Sequence, residues 1–203
     1  IFDNRYENCT KDSDTFKEKC LSWVYYPLNG SLTLNQGDRE EDILRLCQLP
    51  RIALDLTNID ATIKNKITEV AWTLVDKSPT TSYLLLQNIG GTANFRWLTS
   101  TKGLEKLERI GGSAYFSGLT SAEWLERLES IGSMALFNEL TSAEGLKKLK
   151  RIGGGAYFSK LTSAKWLDNL ESIEGNADFI GGSVDFRRLP ESEKQKIPAL
   201  LGR

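Results

Sequence analysis

The phrase L-T-S opens at Leu98, Leu119, Leu140 and Leu161, so four consecutive segments share an invariant spacing of 21 residues. Behind each lies the skeleton L-T-S-x-x-x-L-x-x-L-x-x-I-x-G-x-A-x-F, with Ser133 at the glycine position of the second. A strict short period is the pattern of a stacked chain, in which one unit cannot bury its apolar face until the next lies on it. The framework positions then form inward columns: Leu104/Leu125/Leu146/Leu167, Leu107/Leu128/Leu149/Leu170, Ile110/Ile131/Ile152/Ile173, and the pairs Ala114/Phe116, Ala135/Phe137, Ala156/Phe158 and Ala177/Phe179. Twenty-nine leucines against a single methionine fit such a framework.

Within a unit, the alternation in A-Y-F-S-x-L predicts a short strand with Ala, Phe and Leu pointing inward. The stretch S-A-E-W-L-E-R-L predicts one or two helical turns, with Ser121 or Thr120 capping and Leu125 and Leu128 on one face. The glycines after the isoleucine, Gly111-Gly112, Gly132 and Gly153-Gly154, predict a corner needing positive φ or tight stacking. A phosphate cradle needs the strand before the glycines and the helix after them, and the order here is reversed.

The pattern reaches upstream through Ile89, Ala93 and Phe95. Before that, L-D-L-T-N-I ending at Ile59 and L-L-L-Q-N-I ending at Ile89 lie 30 residues apart. The longer unit predicts a helix over 60–77, with Ile63, Ile67, Val70, Ala71 and Leu74 along one face and an end before Ser78-Pro79. A single domain over 1–203 is expected, with repeats over 51–181 between an N-terminal cap, 1–50, and a C-terminal cap, 182–203. Ser183–Phe186 predicts one further strand, and the segment after Pro190 a short helix.

These motifs carry a resemblance over about residues 52–181. L-D-L-T-N-I with a helix behind it resembles a leucine-rich-repeat unit, and the L-x-x-L-x-x-I-x-G-x-A-x-F units are similar to repeats of receptor L-domain-like and bacterial surface leucine-rich-repeat proteins. The resemblance implies an α/β fold, a right-handed leucine-rich-repeat solenoid with parallel strands, short convex helices and capped ends. It says nothing of the ligand. The 21-residue units lack the regular asparagine of the usual strand-to-turn step.

Composition narrows the chemistry. The chain has no histidine, which removes the usual general base and the commonest metal ligand. Acids such as Glu105/Glu108 and Glu126/Glu129 lie three apart beside Lys or Arg, as on a solvated face. No catalytic residue, metal or cofactor is therefore expected. Lys+Arg 26 against Asp+Glu 27 gives no electrostatic case for nucleic acid or an anionic membrane, and no apolar run is long enough for a spanning helix. Cys9, Cys20 and Cys47 are odd in number. A Cys9–Cys20 bridge is the first expectation and Cys20–Cys47 the second, while Cys47 among Ile43, Leu44, Leu46 and Leu49 also reads as a small buried apolar group. Together with a start at Ile1, these cysteines suggest an exported chain: secreted, periplasmic or at the cell surface.

If packing fixes the inward positions, recognition falls to the outward positions of the strand. One ladder is Asn94, Tyr115, Leu136, Tyr157 and Asp178; the other is Arg96, Ser117, Asn138, Ser159 and Ile180. Tyrosines among small polar groups make a protein-binding surface, which gives the principal expectation: a non-enzymatic recognition or adhesion module with a protein partner. The alternation Gly103, Trp124, Gly145, Trp166 reads as interlocking packing, or as platforms for a glycan, the alternative partner. A purely structural spacer is the third reading. The column Thr99/Thr120/Thr141/Thr162 is expected to cap helix starts.

Overall fold

A computed structural model describes residues 31–80, 82–161 and 169–174, and the backbone of 184–185. The fold is α/β, dominated by two all-parallel sheets with few helices. One sheet runs β1 (Leu32–Thr33), β2 (Leu54–Asp55), β4 (Leu74–Val75), β6 (Ala93–Asn94), β8 (Ala114–Tyr115), β10 (Ala135–Leu136), β12 (Ala156–Tyr157) and β14 (Val184–Asp185). The other has β3 (Glu69–Val70), β5 (Asn88–Ile89), β7 (Arg109–Ile110), β9 (Ser130–Ile131), β11 (Arg151–Ile152) and β13 (Ser172–Ile173), each paired with the next. From β6 to β12 the partners lie 21 residues apart in both register and sequence: Ala93↔Ala114, Ala114↔Ala135 and Ala135↔Ala156.

The repeat thus contains two strands where the sequence suggested one. Ile110, Ile131 and Ile152 are not in a corner; they pair as strand residues of the second sheet. Among the described residues there is no α-helix between the strands of these units. Leu119, Leu125 and Leu128 donate their backbone N–H groups to the carbonyls of Phe116, Ala122 and Leu125, each three residues back. Phe116, Leu119, Ala122, Leu125, Leu128 and Ile131 are all buried at a constant interval of three. Successive tight turns keep such positions eclipsed, whereas an α-helix at 3.6 residues per turn rotates them off one face. Glu144–Leu146 closes into a 3₁₀ turn.

The helix expected over 60–77 is also overturned. Helix α1 spans Glu40–Cys47, and α2 covers only Ala61–Lys64. Val70 and Leu74 lie in separate strands, paired with Ile89 and Ala93. The run T-E-V-A-W-T-L-V favours strand by its β-branched and aromatic content. Two stacked units of twenty and nineteen residues, Leu54 to Leu74 and Leu74 to Ala93, occupy this region. The larger sheet begins at β1, inside the segment read as a cap. Ile43, Leu46 and Cys47 of α1 pack into the core beside it.

The core runs the length of the stack. Phe95, Phe116, Phe137 and Phe158 are fully buried and their rings stack at 5.4, 5.2 and 5.3 Å. At the glycine corner, tight stacking is the requirement: a Cβ on Gly111, Gly132 or Gly153 would sit 2.1 to 2.3 Å from the preceding unit's glycine carbonyl oxygen. Positive φ among the described glycines is confined to Gly103 (φ 97). The alternation at 103, 124 and 145 is not interlocking packing either. Gly145 lies with its would-be Cβ 1.7 Å from the Ala122 carbonyl oxygen, and Trp124 projects outward, 39% exposed. Among the described residues the threonines of this column do not cap helices. Thr99 and Thr141 bind the preceding unit, their hydroxyls donating to the carbonyls of Pro79 and Thr120 at 3.0 Å.

One unit is polar inside. Asp76 stands in the phenylalanine column, since its N–H bonds the Asn94 carbonyl as that of Phe95 bonds the Tyr115 carbonyl. Its carboxylate meets the Lys64 ammonium at 2.6 Å, accepts the Tyr83 hydroxyl at 2.8 Å and accepts the Ser78 N–H at 2.9 Å. All three side chains are buried, and burial pushes the Tyr83 phenol well above its ordinary range, with the Asp76 charge adding to it.

Cys47 is a free thiol, 1% exposed, which removes the Cys20–Cys47 alternative and agrees with the apolar reading. Burial pushes that thiol up to about 12, so it stays protonated at neutral pH. Cys9, Cys20, Trp166, Thr162, Leu167, Ala177 and Phe179, and the helix expected after Pro190, lie outside the described residues. Among the described residues no helix is long and apolar enough to cross a membrane.

Candidate functional site

From β6 to β12 the two-residue strands of the larger sheet hold one side chain in and turn the next out. Ala93, Ala114, Ala135 and Ala156 are fully buried, while Asn94, Tyr115, Leu136 and Tyr157 beside them are half-buried. Parallel pairing in register, Asn94↔Tyr115, Tyr115↔Leu136 and Leu136↔Tyr157, lines the last four into one row. The second ladder lies two residues further along each chain segment: Arg96 is exposed, and Ser117, Asn138 and Ser159 are half-buried. The structure therefore brings eight of the nine candidate residues onto one face. The ninth, Asp178, lies outside the described residues, as does Ile180, and the position beside Tyr157 in the sheet is Asp185 instead.

Register adds contacts that spacing alone did not reveal. The Arg96 guanidinium lies over the Tyr115 ring, 4.5 Å from its centre. The Oδ1 of Asn94 is buried without a hydrogen-bond partner, an arrangement uncommon among buried acceptors. Toward β1 the same row continues as Val75 and Asp55, and the second as Lys77 and Thr57. Lys77 donates to Asp55 at 2.6 Å, and the Thr57 N–H and hydroxyl donate to the same carboxylate. At the far side, Lys160 pairs with Glu139. Near β1, an open depression of about 590 Å³ is lined by Asn35, Gln36, Gly37, Thr57, Asn58 and Ile59. Sequence reading did not single it out, because its amide residues fall outside the 21-residue units.

Burial opposes ionisation of Asp55, but the hydrogen bonds from Lys77 and Thr57 and the Lys77 charge outweigh it, so its carboxyl titrates below the usual carboxylate range. A carboxyl depressed on folding stabilises the fold at neutral pH, and that contribution disappears as pH falls below the unfolded value of about 4. Replacing Lys77 with Met is expected to raise the folded-state Asp55 pKa toward its unfolded value, so that less stability is lost on acidification than in the wild type. Urea midpoints measured from pH 7 to pH 2.5 check this, and coincident profiles for the two proteins would contradict it.

Comparison with known proteins returned no matching family model, no matching curated protein and no matching solved structure.

Proposed function

We propose that the chain is a leucine-rich-repeat-type right-handed solenoid whose concave strand face binds a protein, and that it works as a non-enzymatic recognition module in an exported setting, secreted, periplasmic or at the cell surface. The observation that carries this reading is the row Tyr115, Leu136, Tyr157. Three large side chains stand in register, one per unit, partly exposed, beside residues whose own side chains are wholly committed to the core. Two-torsion aromatic side chains fixed by a sheet lose little entropy on binding, and the serines and Asn138 beside them supply hydrogen bonds around the rim.

Affinity capture with the wild-type chain and with Tyr115→Ala/Tyr157→Ala tests the reading, with circular dichroism showing that both are folded. Proteins retained by the first and lost from the second are expected. Identical profiles would argue for a spacer. The outward Trp124 favours a second reading, a glycan-binding surface. Its signature is glycan-array binding that Trp124→Ala abolishes, with no protein retained.

A further inference from the structure

Resting on that reading of the face, we infer that its partner is an extended acidic protein segment, one carboxylate of which sits on Arg96. Among the described residues the other charges of this face are matched within the chain. Lys77 is paired with Asp55 at 2.6 Å, and Lys160 with Glu139. Arg96 is exposed, its one described interaction is with the Tyr115 ring, and among the described residues no acid lies within ion-pair distance of it. Lying over the ring holds the planar group in place by its face and leaves the N–H groups of its edge to bind. A carboxylate matches that fork in shape and charge.

The neighbouring groups extend the match. Ser117 and Asn138, half-buried in the second ladder, offer hydrogen-bonding groups to the main chain of the segment. Leu136, flanked in the row by Tyr115 and Tyr157, offers an apolar seat. Parallel strands stand about 4.8 Å apart, so the guanidinium over Tyr115 and the Leu136 seat lie one to two strand spacings apart. In an extended chain rising about 3.3 Å per residue, this separates the acidic residue from the apolar one by two to three positions.

Selection from a random 12-residue peptide display library, followed by affinity measurement on the recovered peptides, tests this. Peptides that lose binding to Tyr157→Ala are expected to carry Asp or Glu two to three positions from a large apolar residue. They are expected to bind Arg96→Gln roughly tenfold to a hundredfold more weakly, as loss of a charged hydrogen-bonding partner implies. Arg96→Lys keeps the charge without the planar fork, and restores only part of the affinity. Tyr157-dependent peptides with no acidic enrichment, bound equally by Arg96→Gln, would overturn the carboxylate assignment and leave the face reading standing. Recovery of no Tyr157-dependent peptide would overturn both.

Discussion

Replacing Asp76 with Ala is expected to cost about 3–5 kcal/mol of stability, among the largest single losses available in this chain. The substitution strands the Lys64 ammonium, whose side chain is 6% exposed, and leaves the Tyr83 hydroxyl without its acceptor. A buried charge without its partner is far more costly than the pair is valuable. The triple variant Lys64→Met/Asp76→Leu/Tyr83→Phe removes every member together, and is expected to recover most of the loss, since apolar replacements of similar volume are often neutral. Urea unfolding followed by tryptophan fluorescence reads both. A loss below about 1 kcal/mol for Asp76→Ala would mean that water reaches the pair in solution.

Phe116→Ala is the second, also expected at about 3–5 kcal/mol. Phe116 is fully buried and stacked on two rings, at 5.4 Å to Phe95 and 5.2 Å to Phe137. Removing it opens a cavity in the middle of a column whose neighbours are fixed by interstrand hydrogen bonds and so relax little. The adjacent Tyr115→Ala, on the outward side of the same strand, should cost much less, because that ring gives up only partial burial and its contact with Arg96. Neighbouring residues with opposite outcomes are the direct test of which side faces the core. Equal losses, measured by the same unfolding transition, would contradict the assignment.

The inward columns and the outward rows were legible from period and alternation alone, because one side chain per unit at each offset leaves a single way to stack. The path between strands was misread for an identifiable reason. From Phe116 to Ile131 the buried residues recur every three positions and never every four, a signature of consecutive tight turns. The upstream unit hid because its spacings are twenty and nineteen residues, and because Asp76 and Lys64 stand where Phe and Leu stand elsewhere. The interval from Val70 to Leu74 nonetheless repeats that from Ile89 to Ala93, and would have exposed it. At the candidate site, the tyrosine row followed from alternation. The seat of Arg96 on Tyr115 and the orphaned Asn94 oxygen depend on contact between neighbouring units, which no linear pattern records.

A chain of near-identical segments runs the risk of folding one period out of step, since a shifted arrangement buries nearly the same apolar surface. The acid, ammonium and phenol trio works against that error. Sliding by one segment would part Lys64 from Asp76 and leave each buried without its counter-charge, at a cost of several kcal/mol. The trio therefore serves as an index mark, giving an otherwise uniform molecule a defined origin from which its segments are counted.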